Sequence, residues 1–179
     1  MKTRNIILLI LLLVIADQVV KLIIYKSFME VSGVIVPQVL EFKPIFNNKY
    51  SFVNDLTYKK TGMDAGLIFH AIVFALVWLV LFPFYKFFKN IAPGNKTLDV
   101  SFSFLTAGVI CAYLGILIWQ DGTLDFLHFK LGASVVFDLK DIYINCFVIL
   151  LIISTKKIEK EHKTTLQDMM HYIKSLFFK

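Results

Sequence analysis

The sequence predicts an all-α integral membrane protein: four transmembrane helices, a small extended, β-like platform in an outer loop, and a C-terminal amphipathic helix. Three observations carry that prediction. Over 179 residues, 58% of side chains are hydrophobic, 18 are phenylalanine and only 18% are charged, too apolar for a water-soluble domain of this length. Four stretches approach the ~20 apolar residues needed to cross hydrocarbon: Ile6–Ile24, Ala65–Phe84, Val100–Trp119 and about Val135–Ser154. Lysine and arginine are unevenly distributed between the intervening segments. Segments 1–5, 85–99 and 155–179 carry a net +7, whereas 25–64 and 120–141 carry −1, which places the first set, with both termini, in the cytoplasm. The overall charge of +6 thus reports topology, and the chain shows no basic recognition helix or stacking platform for nucleic acid.

The first apolar stretch is too long for a cleavable leader and lacks an Ala-x-Ala-like end, so it reads as a retained anchor. It contains Asp17 and Lys21, four residues apart and therefore on one helix face, where carboxylate and ammonium can neutralise each other. The pair either ends the span at the water boundary or supports a polar site at the outer face. The outer loop of about 25–64 is far longer than a simple connection. Within it, Val31–Phe46 is β-branched and partly alternating, with Pro37 and Pro44 confining any strands to edges. His70, among Ile and Phe in the outer part of the second span, reads as a packing or backbone-bonded histidine. Pro93-Gly94-Asn95 marks an inner turn.

Charged residues Asp138, Lys140 and Asp141 make the start of the fourth span its least apolar part. After Ser154 a charged collar, TKKIEKEHK, leads to Leu166, Met169, Met170, Ile173, Leu176 and Phe177 at helical spacing, with Lys174 and Lys179 nearby. This pattern predicts an amphipathic helix on the inner leaflet or against a partner. The chain therefore divides into a membrane domain, 1–154, and a cytoplasmic tail, 155–179. Cys111 and Cys146 fall within spans, with no Cys-x-x-Cys partner, and read as structural thiols rather than metal ligands or a disulfide. No metal or cofactor is called for.

Three polar sets share one depth: Asp17 with Lys21, Asp121 with Asp125 after the third span, and Asp138 with Asp141 at the start of the fourth. Two carboxylates held together near apolar surface cannot both ionise easily, which yields one acid and one base able to activate a water. Asp141 with Asp125 or Asp121 would supply such a pair from two chain segments. Asp138 fits an N-cap; Asp141, one turn deeper, fits either a capping or a chemical role.

These residues resemble the motifs of lipoprotein signal peptidase (signal peptidase II) over about residues 6–154. The family's Asp-Gln-x-x-Lys is matched by Asp17, Gln18 and Lys21, and its Asn-x-Gly-x-Ala-Phe in part by Asn47 and Phe52, with Lys49 and Ser51 in place of glycine and alanine. Its Val-Val-Asp-Phe-Ile is matched at Asp125 and Phe126, and its Phe-Asn-x-Ala-Asp at Phe137 and Asp141, with Asp138 for asparagine and Lys140 for alanine. The resemblance implies an enzyme that cuts prolipoproteins just before a lipid-modified cysteine, using two aspartates at the outer membrane face, one of them at Asp141. It assigns the other to a Gly-Asn-x-x-Asp-Arg motif ending helix 3. Here the segment reads GILIWQ from Gly115, with Ile116, Trp119 and Gln120 at the polar positions; counted back from Asp125 without a gap, the aspartate position falls on Ile116.

The sequence expectation is accordingly a non-catalytic relative in the bacterial cytoplasmic membrane. Its groove would bind lipid and a lipoprotein, signal-peptide helix or partner helix, with Asp17, Lys21, Asn47, Phe52 and Asp138 as its polar and structural site. One alternative is an active aspartic endopeptidase with a rebuilt dyad of Asp141 and Asp125 or Asp121. Another is an accessory subunit that docks a partner through the C-terminal helix.

Overall fold

The computed structural model describes residues 1–119, 121–132 and 134–177, without the side chains of Leu166, Leu176 and Phe177. Gln120 and Lys179, and those three side chains of the expected amphipathic face, lie outside the described residues. In order, the chain forms α1 (Thr3–Ser27), β1 (Gly33–Val36), β2 (Leu40–Asn47), α2 (Phe52–Thr61), α3 (Gly66–Ile91), α4 (Lys96–Ile118), β3 (Thr123–Phe129), β4 (Val135–Phe137), α5 (Leu139–His162) and α6 (Leu166–Phe177).

Three of these helices, α1, α3 and α4, are long and apolar enough to cross a membrane. Their roles differ. In α4, 56% of the apolar window is buried within the protein, against 11% in α1 and 6% in α3. Exposed Leu12 and Ile15 on α1 and Ile68 and Leu79 on α3 would be costly in water and cost nothing in hydrocarbon. α4 is therefore the bundle's axis and the others its lipid-facing wall. α5 packs closely on α4, where Gly108 leaves room for Ile144; a Cβ there would lie 2.8 Å from Ile144 Cδ1. Ser101 Oγ, buried in α4, donates to the Phe147 carbonyl of α5 at 3.0 Å, satisfying a polar group in an apolar interior.

The fourth expected span starts later than the sequence suggested. Val135–Phe137 pairs as β4 with β3, and the helix begins only at Leu139, behind the N-cap Asp138. It then continues to His162, so the charged collar is its last two turns rather than a separate segment. The platform is likewise larger than its first-loop sequence implied. It is a four-stranded antiparallel sheet in the order β1-β2-β3-β4, with two strands from the segment between α1 and α2 and two from the segment between α4 and α5. Pro44, which has no N–H to give, lies where the β2–β3 register shifts between Phe42 and Ile45. Gly122 turns the chain from α4 into β3 at φ +114°, so close to β2 that a Cβ would lie 2.4 Å from the Asn47 carbonyl oxygen.

Two apolar clusters brace this arrangement. Ile24, Leu124 and Phe126 join α1 to the sheet. At the opposite end, Phe87, Phe88, Leu98, Phe102, Phe147 and Ile158 join α3, α4 and α5. α6 folds back there: Met169 and Tyr172 pack on that cluster, and Tyr172 Oη accepts from Asn90 Nδ2 at 3.0 Å. Cys111 is buried and Cys146 half-buried, both as free thiols.

Candidate functional site

The charged residues that the sequence scattered over 125 positions meet where the sheet sits on α1 and α5. β4 ends directly in α5, and Asp138 caps that helix: its carboxylate accepts from Asp141 N at 3.4 Å while Asp141 Oδ2 accepts from Asp138 N at 3.1 Å. This reciprocal cap satisfies two otherwise orphaned donors and fixes both carboxylates. Lys21, one turn beyond Asp17 on α1, reaches Asp17 Oδ2 at 3.0 Å and Asp138 Oδ2 at 2.6 Å, and all three side chains are fully buried. The i, i+4 pair is thus an interior strut that ties α1 to the start of α5 rather than a boundary pair at the water interface.

Lys140 makes the second half of the network. Its ammonium lies 2.9 Å from Asp138 Oδ1, 3.1 Å from Asp125 Oδ1 and 3.3 Å from Asp141 Oδ2, with its side chain 9% exposed. Asp125 comes from β3, opposite Ile45 on β2. Asn47, two residues along β2 on the same sheet face, donates from Nδ2 to Asp125 Oδ2 at 3.2 Å. Burial pushes the Asp125 carboxyl above its ordinary range, and the Lys140 ammonium and the Asn47 amide pull against that shift. One oxygen of each of Asp125, Asp138 and Asp141 lies within 4.8 Å of the others. Two ammoniums and four carboxylates share the site. A divalent ion would need the three-carboxylate face that Lys140 already occupies.

Asp125, Lys140 and Asp141 open on one side into a groove of about 590 Å³ between α3, α4, α5 and the sheet. Its polar edge continues through Asn47 and Asn145, and its apolar wall includes Phe52, Phe74, Val77, Val109 and Ile144. Of the two candidate partners for Asp141, the structure brings up Asp125. Asp121 is exposed and, among the described residues, has no ion-pair partner. Trp119 caps α4 and packs edge-on against Tyr25 at 5.1 Å and beside Phe46 at 6.1 Å. Ile116 is buried. The end of α4 is thus an aromatic joint to the sheet. Sequence reasoning treated Lys140 as a charge at the start of the fourth span and as a departure from a motif, not as a site residue. The signal was there: a lysine flanked by two aspartates at a helix start, in a chain with little water to solvate it.

The profile of the family described as Signal peptidase (SPase) II matches residues 9–157. No curated protein matches the chain. Among solved structures, a bacterial membrane enzyme determined by the in meso method at 1.9 Å resolution is 22% identical, with a TM-score of 0.63 over 86% of this chain and 94% of its own. A second bacterial membrane enzyme, determined in the same way at 2.3 Å, is 20% identical, with a TM-score of 0.56 over 92% and 94%. At such identities the likeness is one of fold.

Proposed function

The chain belongs to the signal peptidase II family, and from that premise we propose that its groove binds a lipidated or helical client without cutting it, because Lys140 holds the carboxylate pair ionised. Asp125 and Asp141 supply the two carboxylates from two chain segments that water activation requires. An acid–base dyad, however, must keep one proton between its members. An ammonium 3.1 Å from one and 3.3 Å from the other neutralises the repulsion that would retain that proton. That contact carries the reading. The reason for silence thus moves from the end of α4 to the first turn of α5.

In this reading α5 is the fourth membrane span, residues 1–154 form the membrane domain, and the sheet lies on the outer face of the bacterial cytoplasmic membrane. Both termini are cytoplasmic, with 155–179 as the inner tail. The lysine distribution supports that orientation. The groove's apolar wall and open side suit an acyl chain or a signal-peptide helix entering from lipid.

One observation favours a second reading, an active aspartic endopeptidase with Asp125 and Asp141 as its dyad. The two carboxylates converge on the groove, and burial raises Asp125 towards holding a proton. Incubating the protein in nanodiscs with a diacylglyceryl-modified prolipoprotein separates the two. Co-migration of the intact lipoprotein is the expected result; a size shift abolished by Asp141→Asn would establish the peptidase instead.

A further inference from the structure

Ser51 and His70 form a second constellation in the groove, outside the carboxylate network and independent of it. Ser51 lines the groove beside Tyr50 and Phe52. Its Oγ lies 3.0 Å from His70 Nε2, and His70 Nδ1 lies 2.7 Å from the Gly66 carbonyl oxygen. A carbonyl only accepts, so Nδ1 carries the ring proton and Nε2 presents its lone pair to the Ser51 hydroxyl. The imidazole is 4% exposed, its ring set by Tyr50 at 5.7 Å and Phe74 at 6.3 Å.

The backbone around Ser51 runs strand, sharp turn, helix. β2 ends at Asn47, Tyr50 is held at φ +62°, and Ser51 directly precedes the first turn of α2. Ser51 also caps that helix, its Oγ accepting from Asn54 N at 3.2 Å. Capping uses an oxygen lone pair and leaves the hydroxyl proton free to pass to His70. It does not by itself call for an imidazole. The N–H groups of Phe52 and Val53, at the first two helical positions, have no intrahelical acceptor and sit at the positive end of the helix dipole. In the motif that this segment resembles, position 51 is alanine, so the Ser51 hydroxyl is a departure from that motif.

We propose that Ser51 is a nucleophile and His70 its general base, in an acyl-transfer site that accepts a fatty-acyl ester of a membrane glycerolipid. The chain wall of Phe74, Val77, Val109 and Ile144 suits an acyl tail, while Asn47 and Asn145 at the polar edge suit a glycerol headgroup. Ser51 Oγ bonds to the ester carbonyl carbon as its proton passes to His70 Nε2, and the N–H groups of Phe52 and Val53 take the developing oxyanion. Collapse breaks the bond to the glycerol oxygen, which leaves with the proton from Nε2, and the acyl group stays on Ser51. Water then attacks the acyl carbon, giving its proton to Nε2. Ser51 departs on receiving that proton, and the free fatty acid is released.

The test uses the full-length protein in phosphatidylglycerol nanodiscs with an alkyl fluorophosphonate, followed by mass spectrometry of the Ser51 peptide and by release of nitrophenol from p-nitrophenyl dodecanoate. Ser51→Asn keeps a capping oxygen and removes the nucleophile; Ser51→Ala removes both. The expected result is a covalent adduct on Ser51, absent from both variants, with ester turnover lost in parallel. His70→Gln slows labelling by about a hundredfold or more. Wild-type protein that labels no faster than Ser51→Asn, or labels at another residue, would overturn the assignment. Because the probe reacts without any prolipoprotein, its failure leaves the client-binding reading standing, and the reverse also holds.

Discussion

Replacing Lys140 by methionine removes one charge and little volume from the centre of the site. Its ammonium contacts three carboxylates at 2.9, 3.1 and 3.3 Å. At an effective dielectric of about 20, each contact amounts to roughly 5 kcal/mol of attraction. The same carboxylates, within 4.8 Å of one another, repel by at least about 3 kcal/mol per pair on the same scale. Desolvation offsets most of the attraction, and breaking a buried pair on one side costs about 3–5 kcal/mol net. Lys140→Met should therefore lose about that much stability at neutral pH, read from unfolding in mixed detergent micelles. Part of the deficit should return as the pH falls from about 7 towards 4, because carboxylates that take up protons no longer repel. Adding Asp125→Asn removes one of the stranded charges, so the double variant should be more stable than the sum of the singles by about 1–3 kcal/mol. A Lys140→Met protein within about 0.5 kcal/mol of wild type, with additive singles and no recovery in acid, would refute the reasoning.

Three further outcomes follow from the same contacts. Asp138→Ala leaves both Lys21 and Lys140 short of a counter-ion and uncaps α5, so it should cost at least about 3–5 kcal/mol and be the most destabilising single change among the site aspartates, by the same unfolding assay. Gly122→Ala places a Cβ 2.4 Å from the Asn47 carbonyl oxygen at φ +114°; beyond the roughly 1–3 kcal/mol of backbone strain, hydrogen exchange should speed up across β2 and β3. Asp64 accepts from Lys49 Nζ at 2.6 Å, Asn54 Nδ2 at 2.8 Å and Gly66 N at 2.9 Å, which holds its carboxyl well below the usual range. Its contribution is therefore present above the unfolded value of about 4 and lost as the pH falls through the lower folded value. Protection of the α2–α3 junction should decline only in that acid window, and Asp64→Asn should abolish the pH dependence.

Much of the site was legible because its residues obey local spacing rules. Asp17 and Lys21 share a face at i, i+4, and Asp138 stands where a helix needs a cap, so the pairing of the first two and the cap could be read without a structure, while the pair's place, boundary or interior, stayed open. The strands between α4 and α5 could not. β3, TLDFLHF, is buried on both faces over its first four residues, which erases the alternation by which a strand is recognised. Val135–Phe137 continues an apolar run into α5, so nothing in composition separates strand from helix. α2, between the caps Ser51 and Gly62, is short and mixed in polarity and did not stand out from the long loop that contains it. The choice of Asp125 over Asp121 depends on the β2–β3 register, which is set by pairing between residues 76 or more positions apart and leaves no local trace. The depth of Lys21 and Lys140 was likewise hidden: charges near a predicted membrane boundary suggest water, whereas here the sheet lies over them and excludes it.

The measurement that bears most directly on the account is prolipoprotein cleavage by Lys140→Ala, which installs the residue of the family motif at that position. In nanodiscs, with folding verified by circular dichroism, wild type is predicted to retain the diacylglyceryl-modified substrate uncut. Lys140→Ala should cut it, in a manner lost again with Asp125→Asn or Asp141→Asn. Cleavage by wild-type protein, or a folded Lys140→Ala protein that binds the substrate and still leaves it intact, would contradict the claim that this lysine silences the pair.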